Sequence, residues 1–275
     1  MLGIWVVCDP TARGSAGYPS VCSERPTIHE VRVMAVVPTY NEVASLEVLV
    51  RGLREVEPGI GIVVVDDASS DGTSQLAHRL AGELGDIAVI DRPAKFGLGS
   101  AYRRGMAHAI EHGADVCVQI DADLSHDPAD LPALLANVSH GADLAIGSRY
   151  VPGGRLERWP WSRRWLSRWG NRYAAGVLGL AVNDATAGYR AYRCEALRRM
   201  NFDTVTADGY GFQIEMTHRV VRAGGKIVEF PIAFRDRGAG ASKLSRGIIR
   251  EAFGLVVRLW VADRRDRRRR RRLSG

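Results

Sequence analysis

At 275 residues, with 46% hydrophobic and 25% charged side chains, the chain can bury a full core, and its ordinary composition excludes fibrous and wholly disordered classes. Its net charge of +7 is concentrated at one end: Arg264, Arg265 and the run Arg267 to Arg272 fall within the last twelve residues and leave the body close to neutral. A basic body would suggest nucleic acid. A basic tail on a neutral body suggests an electrostatic tether, and no base-reading signature is present, so nucleic acid is not an expected partner.

Residues 1–30 are rich in Gly, Ser, Pro and Thr without periodicity and read as a flexible leader outside the fold. The opening Met-Leu-Gly-Ile-Trp-Val-Val-Cys has no basic leader and is too short for a secretory core. No apolar run reaches the ~20 residues that span a bilayer. The four cysteines lack metal-ligand spacing; Cys117 and Cys194 sit in apolar surroundings and read as plain buried thiols, which fits a cytoplasmic protein.

From residue 31 short apolar runs alternate with helical patterns. The runs Val31–Val37, Ile62–Val65, Ile87–Ile90, Val116–Ile120 and Leu144–Ile146 predict strands, and the spacing between them predicts helices over 42–56, 71–84, 99–112 and 128–139. Such alternation of Val/Ile-rich strands and helices predicts an α/β fold, with a mostly parallel central sheet and helices on both faces.

Ligands of open α/β sheets bind beyond the carboxyl ends of the strands. Four polar clusters fall there: Pro38-Thr39-Tyr40-Asn41-Glu42, Asp66-Asp67-Ala68-Ser69-Ser70-Asp71-Gly72, Asp121-Ala122-Asp123 and Gly147-Ser148-Arg149. Parallel strands would line them along one crevice. No dinucleotide fingerprint or Walker loop occurs, and Gly97-Leu98-Gly99 by itself is as much a helix-entry turn as a phosphate cradle. Asp121 and Asp123, two apart at a strand end, would point the same way and repel unless a cation lay between them, which suits Mg²⁺ or Mn²⁺ with phosphates; a turn capped by two aspartates is the alternative. Asp66 or Asp67 can accept from a nucleobase or ribose, Asp71 with Gly72 reads as a helix cap, and Glu42 reads either as a site residue or as a first-turn carboxylate facing the helix dipole.

These segments resemble family-2 glycosyltransferases of the GT-A fold. Gly97-Leu98-Gly99-Ser100-Ala101-Tyr102 and Gly147-Ser148-Arg149-Tyr150 narrow the likeness to polyprenol-phosphate (dolichol-phosphate) mannose synthases. Asp184-Ala185-Thr186-Ala187-Gly188-Tyr189-Arg190, Gly211-Phe212-Gln213-Ile214-Glu215-Met216 and Arg237-x-x-Gly240-x-Ser242-Lys243-Leu244 extend it across about residues 31–245. The resemblance implies a catalytic domain over 31–243, with a nucleotide-sugar half (31–150) and an acceptor half (151–243). It implies GDP-mannose as donor, a polyprenyl monophosphate as acceptor and inversion of the sugar linkage; a UDP-sugar donor such as UDP-glucose is the alternative. Pro38, Tyr40, Glu42, Asp66 or Asp67, Lys95 and Gly97 would hold the donor. Asp121 and Asp123 would bind metal and diphosphate, with Ser125, where many relatives carry a ligating Gln, as a further ligand. Arg149, Arg163, Ser167, Arg237 and Lys243 would grip the acceptor phosphate, with Arg149 and Arg237 counted among the catalytic groups. Some members also use a small membrane-anchoring subunit.

Trp159, Trp161, Trp165 and Trp169 crowd into eleven residues. If 163–180 is helical, Trp165, Trp169 and Tyr173 form a stripe beside Arg164, Arg168 and Arg172, as in a helix lying in a lipid interface; core packing with snorkelling arginines is the alternative. Residues 244–262 predict a second amphipathic helix, with Ile248, Ala252, Leu255, Val256, Leu259 and Trp260 on one side, that would either lie on the membrane or cover the sheet. Residues 263–275 read as a disordered Arg-rich tail. Together these features place the protein peripherally on the cytoplasmic face of a membrane.

Overall fold

A computed structural model describes residues 31–157, 159–235 and 253–265. The leader 1–30, Arg237, Lys243, the first part of the proposed 244–262 helix and the tail beyond 265 lie outside the described residues.

Four βα steps and a fifth strand open the fold: β1 (Val33–Thr39), α1 (Leu46–Val56), β2 (Gly61–Asp66), α2 (Thr73–Leu84), β3 (Ile87–Asp91), α3 (Leu98–Glu111), β4 (Val116–Gln119), α4 (Leu131–Ser139) and β5 (Leu144–Ser148). There follow β6 (Arg155–Glu157), α5 (Trp161–Leu178), β7 (Arg190–Arg193), α6 (Cys194–Arg199), α7 (Gly209–Arg222), β8 (Ile227–Pro231) and β9 (Ala233–Arg235). A last helix, α8, covers 253–265. Among the described residues seven strands form one sheet in the order β3-β2-β1-β4-β7-β5-β8, and β6 pairs with β9 in a second, two-stranded sheet. All pairings are parallel except those of β7, which runs antiparallel to both β4 and β5.

The continuous apolar runs form strands because both faces of the sheet are covered. Met34 and Val36 of β1 point to one face, where Tyr102 and Met106 of α3 and Phe212 of α7 meet them. Val33, Ala35 and Val37 point to the other, against Leu46, Leu49 and Leu53 of α1 and Leu134 of α4. The strand's two-residue period thus divides one apolar run between two cores. Cys117 and Cys194 are free thiols buried in the first of these cores, with their sulfurs 3.3 Å apart.

Helix α3 lies so close to β1 that only glycine fits at Gly105: a Cβ there would stand 2.3 Å from Val36 Cγ1 and 3.1 Å from Val65 Cγ2. Both neighbours are fully buried β-branched side chains of the core. Gly105→Ala is therefore expected to destabilise the protein by about 1–3 kcal/mol through overpacking, read as a lowered urea midpoint at unchanged slope.

Two predicted helix bounds shift, the start of the first helix and the end of the last. The first helix begins at Leu46 rather than 42, because Asn41 takes a left-handed backbone (φ 59) and Glu42 to Ser45 form a turn. In the last helix, Leu255 and Val256 are buried in the main core and Leu259 and Trp260 pack against it, so its described part covers the domain rather than lying apart from it. That helix runs through residue 265, past the expected end at 262, and Asp263 on it pairs with His218 and Arg222 of α7.

Candidate active site

The ends of β1, β2, β4 and β5 open on the same edge of the sheet, since the four strands run parallel. The loops after β1 and β2 are zipped together. Asp66 accepts from the Thr39 hydroxyl (2.8 Å) and from the hydroxyl and amide of Ser69 (2.6 and 2.8 Å). The Asn41 amide donates to Ser69 Oγ and Asn41 Oδ1 accepts from the Ser70 amide, each at 2.9 Å. The Glu42 amide donates to Thr73 Oγ1 (2.9 Å), and the Glu42 carboxylate accepts from Ser45 Oγ (3.1 Å). Asp71 accepts from the Thr73 amide and hydroxyl, so it does cap α2, one position before the left-handed Gly72. Asp66 therefore builds the loop, and Asp67 is the carboxylate of the pair turned toward the next loop.

Asp67 Oδ1 forms an ion pair with Arg92 Nε at 2.8 Å, and its Oδ2 accepts from the amides of Phe96 and Gly97 at 3.2 and 3.1 Å. Burial pushes the Asp67 carboxyl above its ordinary range, against the opposing pull of Arg92 and the two amides. Beside it the Lys95 ammonium sits 3.5 Å from the centre of the half-exposed Tyr40 ring. Pro38, Tyr40, Glu42, Asp67, Lys95 and Gly97 thus belong to one neighbourhood, at the β1–β2 end of the rim.

The pairing of β4 stops at Gln119, so Asp121 and Asp123 lie in the turn beyond the strand rather than on it. The alternation argument for their shared direction does not apply; a turn with Leu124 in a left-handed conformation (φ 59) presents them instead. The Tyr102 hydroxyl donates to Asp121 Oδ1 (2.6 Å), and the Ser125 amide donates to Asp123 Oδ1 (3.0 Å). Burial and then the Asp121 charge push the Tyr102 phenol well above its ordinary value, so it remains a donor. The Asp123 charge acts on that phenol in the same direction. Ser125 is buried, with its carbonyl receiving the Arg235 amide. Among the described residues no group of three or more His, Cys, Asp or Glu is placed to hold a metal, so an ion here would need further ligands from a bound phosphate.

His126 closes the turn on the inside, against Tyr189 and Phe234. Burial drives its imidazole down to about 4, past the opposing influence of Asp123, so it is neutral near pH 7. A Cβ on Gly188 would stand 3.0 Å from Asp121 Oδ2 and 3.3 Å from His126 Nε2, so the carboxylate turn packs against the segment that leads from Asp184 into β7.

Arg149 is buried and forks onto Asp184: Nε to Oδ2 at 2.7 Å, Nη2 to Oδ1 at 2.6 Å, and its own amide to Oδ2 at 3.0 Å. Nη2 also donates to Thr186 Oγ1 (2.8 Å), and the rings of Tyr150, Trp159 and Phe234 surround the guanidinium. Burial would raise the Asp184 carboxyl, but Arg149 outweighs it and holds the group below the usual carboxylate range. Arg163 of α5 lies over Trp159 (3.9 Å), and Ser167 accepts from the Tyr150 hydroxyl (2.7 Å). Arg149, Arg163 and Ser167 therefore gather in one cationic, aromatic-lined cluster.

Asp184 was not among the expected site residues. The motif containing it was visible in the sequence, but its pairing with a side chain 35 residues earlier was not. The tryptophan cluster divides: Trp159 turns inward, while Trp161, Trp165 and Trp169 are 81, 64 and 42% exposed on α5. Trp169 and Tyr173 stack with Phe253 of the last helix.

The sequence model of glycosyl transferase family 2 matches residues 34–200. Over 85% of its length this chain is 47% identical to the undecaprenyl-phosphate mannosyltransferase of Micrococcus luteus, covering 96% of that protein. Over 86% it is 45% identical to the polyprenol monophosphomannose synthase of Mycolicibacterium smegmatis, covering 90% of it. Its fold is similar to that of the glucosyl-3-phosphoglycerate synthase from Mycobacterium tuberculosis, solved with Mn²⁺, UDP and glucosyl-3-phosphoglycerate: TM-score 0.63 at 20% identity, over 83% of this chain and 79% of the other.

Proposed function

The chain belongs to glycosyl transferase family 2, and from that membership we propose that it transfers mannose from GDP-mannose to a polyprenyl monophosphate, inverting the sugar linkage. The observation that carries this reading is the pairing on one rim of an acidic turn, Asp121 and Asp123, with a cationic cluster of buried Arg149 and half-buried Arg163. Two anionic substrates need such a divided site.

The acidic turn fits a divalent ion: the Tyr102 hydroxyl and the Ser125 amide orient two carboxylates, whose hard oxygens suit Mg²⁺ or Mn²⁺. When bound, such an ion supplies Lewis-acid stabilisation to the departing diphosphate. Asp121 and Asp123 would hold it, with Ser125 as a further ligand reached through water. Asp67, Lys95, Tyr40, Glu42 and the Gly97 turn would seat the nucleoside end of the donor. Arg149, Arg163 and Ser167, with Arg237 and Lys243 from the segment beyond residue 235, would hold the acceptor phosphate.

The chemistry asks for no general base. A phosphate monoester has a second pKa of about 6 and is largely dianionic at neutral pH. His126, neutral and buried among aromatic rings, supplies shape to the turn rather than proton transfer. Fixed cations hold the nucleophile against the anomeric carbon, and displacement from the opposite face inverts it.

No helix among the described residues is long and apolar enough to cross a membrane. The outward Trp161 and Trp165, with Arg164, Arg168 and Arg172 exposed beside them, support peripheral contact with a membrane surface where the lipid acceptor resides. On this reading the protein works at the cytoplasmic leaflet, with or without a small anchoring subunit.

The test is a donor panel with one prenyl phosphate. GDP-mannose with Mg²⁺ or Mn²⁺ is expected to give labelled lipid-phosphate mannose, and chelation is expected to remove the product until metal is restored. Turnover with UDP-glucose and none with GDP-mannose would overturn the donor assignment; full activity in chelator would overturn the role of the metal.

A further inference from the structure

The turn at Gly97-Leu98-Gly99 is held from two sides by two carboxylates far apart in the chain. On the sheet side Asp67 accepts the amides of Phe96 and Gly97. On the other side Asp208, 109 residues from Gly99, accepts the Gly99 amide (2.5 Å) and that of its own neighbour Gly209 (2.9 Å) through the same oxygen. Gly99 lies in the first turn of α3 and Gly209 opens α7, each a helix of 14 residues. The Gly97 cap of α3 has no side chain, so Asp208 supplies the missing acceptor from across the fold while capping α7 as well. One negative charge thus faces two helix N-termini, where it is electrostatically favoured.

The contact leaves no slack. Gly97 has φ +96, and a Cβ on it would come within 1.9 Å of Asp208 Oδ2; one on Gly99 would lie 2.7 Å from the Ala207 carbonyl oxygen. Arg92, paired with Asp67, also feels the Asp208 charge, so both carboxylates bear on the same strand end. Residues flanking Asp208 in the chain and the last helix border an open cavity of about 410 Å³ lined by Thr206, Ala207, Gly211, Gly254, Leu255 and Arg258. Asp208 therefore stands where the packing of α8 meets the donor-side turn.

We infer that Asp208 is a positioning residue for the nucleotide donor: it latches the Gly97–Gly99 turn against Asp67 and so sets donor affinity without touching the reacting atoms. The inference rests on the donor neighbourhood assigned above. Losing the latch loosens the amide turn and Lys95 before donor binding, and the donor must then order them. That cost falls on donor binding and leaves both the acceptor cluster and the acidic turn intact.

Asp208→Ala and Asp208→Asn in the full-length chain separate this role from a merely structural one. Asp208→Ala is expected to raise the donor KM, and the Kd for GDP measured by calorimetry, about ten-fold, with kcat and acceptor KM within about two-fold of the parent. Asp208→Asn keeps an accepting oxygen and is expected to recover most of the donor affinity. Unchanged donor KM and GDP Kd in Asp208→Ala, with only a lowered melting temperature, would overturn the latch, as would an equal fall in acceptor affinity. Absence of mannosyl transfer by the parent protein would instead count against the proposed reaction, and the latch would then be read from GDP and UDP titrations of the parent and both variants.

Discussion

Asp123→Asn is expected to lower mannosyl transfer by about a thousand-fold or more in kcat, and with it any dependence on a divalent metal, while the protein keeps its fold. Asparagine retains an oxygen that can accept the Ser125 amide, so the turn that presents residue 123 survives. What disappears is the negative charge, and with it the affinity of a hard-oxygen pair for a divalent ion. Asp121→Asn is expected to behave alike, because its partner Tyr102 is a neutral donor that an amide oxygen also satisfies. Ser125→Ala should be much milder, since the amide that orders Asp123 belongs to the backbone. The measurement is turnover of labelled GDP-mannose across a Mn²⁺ titration, with circular dichroism as the check on folding. Asp123→Asn active at parental levels with the parental metal dependence would remove Asp123 from the metal site.

The second large effect is on stability. Asp184→Ala leaves the buried Arg149 guanidinium without its carboxylate and is expected to cost about 3–5 kcal/mol, enough to unfold a large fraction of molecules in a marginal domain. The pair also sets a pH window. The folded-state pKa of Asp184 lies below its unfolded value, so the stabilisation is fully present above about pH 4–5 and is lost as pH falls through the folded value. The parent should therefore lose stability below about pH 4, whereas Asp184→Asn, lower at neutral pH, should show a shallower acid limb. Urea midpoints between pH 3 and pH 7 decide this. Parallel acid limbs in the two proteins would show that Arg149 and Asp184 are not coupled as their geometry requires.

These pairings mark where the sequence was readable. The five leading strands announce themselves because apolar residues, Val and Ile foremost, follow one another without a polar alternation, most plainly in Ile62 to Val65 of the fully buried β2. β7 does not, because its buried positions include Arg190, whose guanidinium is satisfied by the carbonyls of Ala185, Ala187 and Gln213 and the hydroxyls of Tyr192 and Thr217. An arginine strand gives no apolar signal. The acidic and cationic clusters were legible as motifs, yet Asp184 and Asp208 act through partners 35 and 109 residues distant, a relation no local pattern encodes. The exposed tryptophans were legible as a stripe, but the inward turn of Trp159 depends on Arg149, Arg163 and Phe234 arriving from elsewhere.

The reversed strand between β4 and β5 also works as a ruler. Neighbouring strands are spaced by about 4.8 Å, so inserting β7 sets the end of β4 and the end of β5 about 10 Å apart. Without it, β4 and β5 would be direct neighbours, and the acidic turn and the arginine pocket would stand one strand spacing apart. With it, the backbone itself holds the two loops two strand spacings apart, whatever side chains they carry.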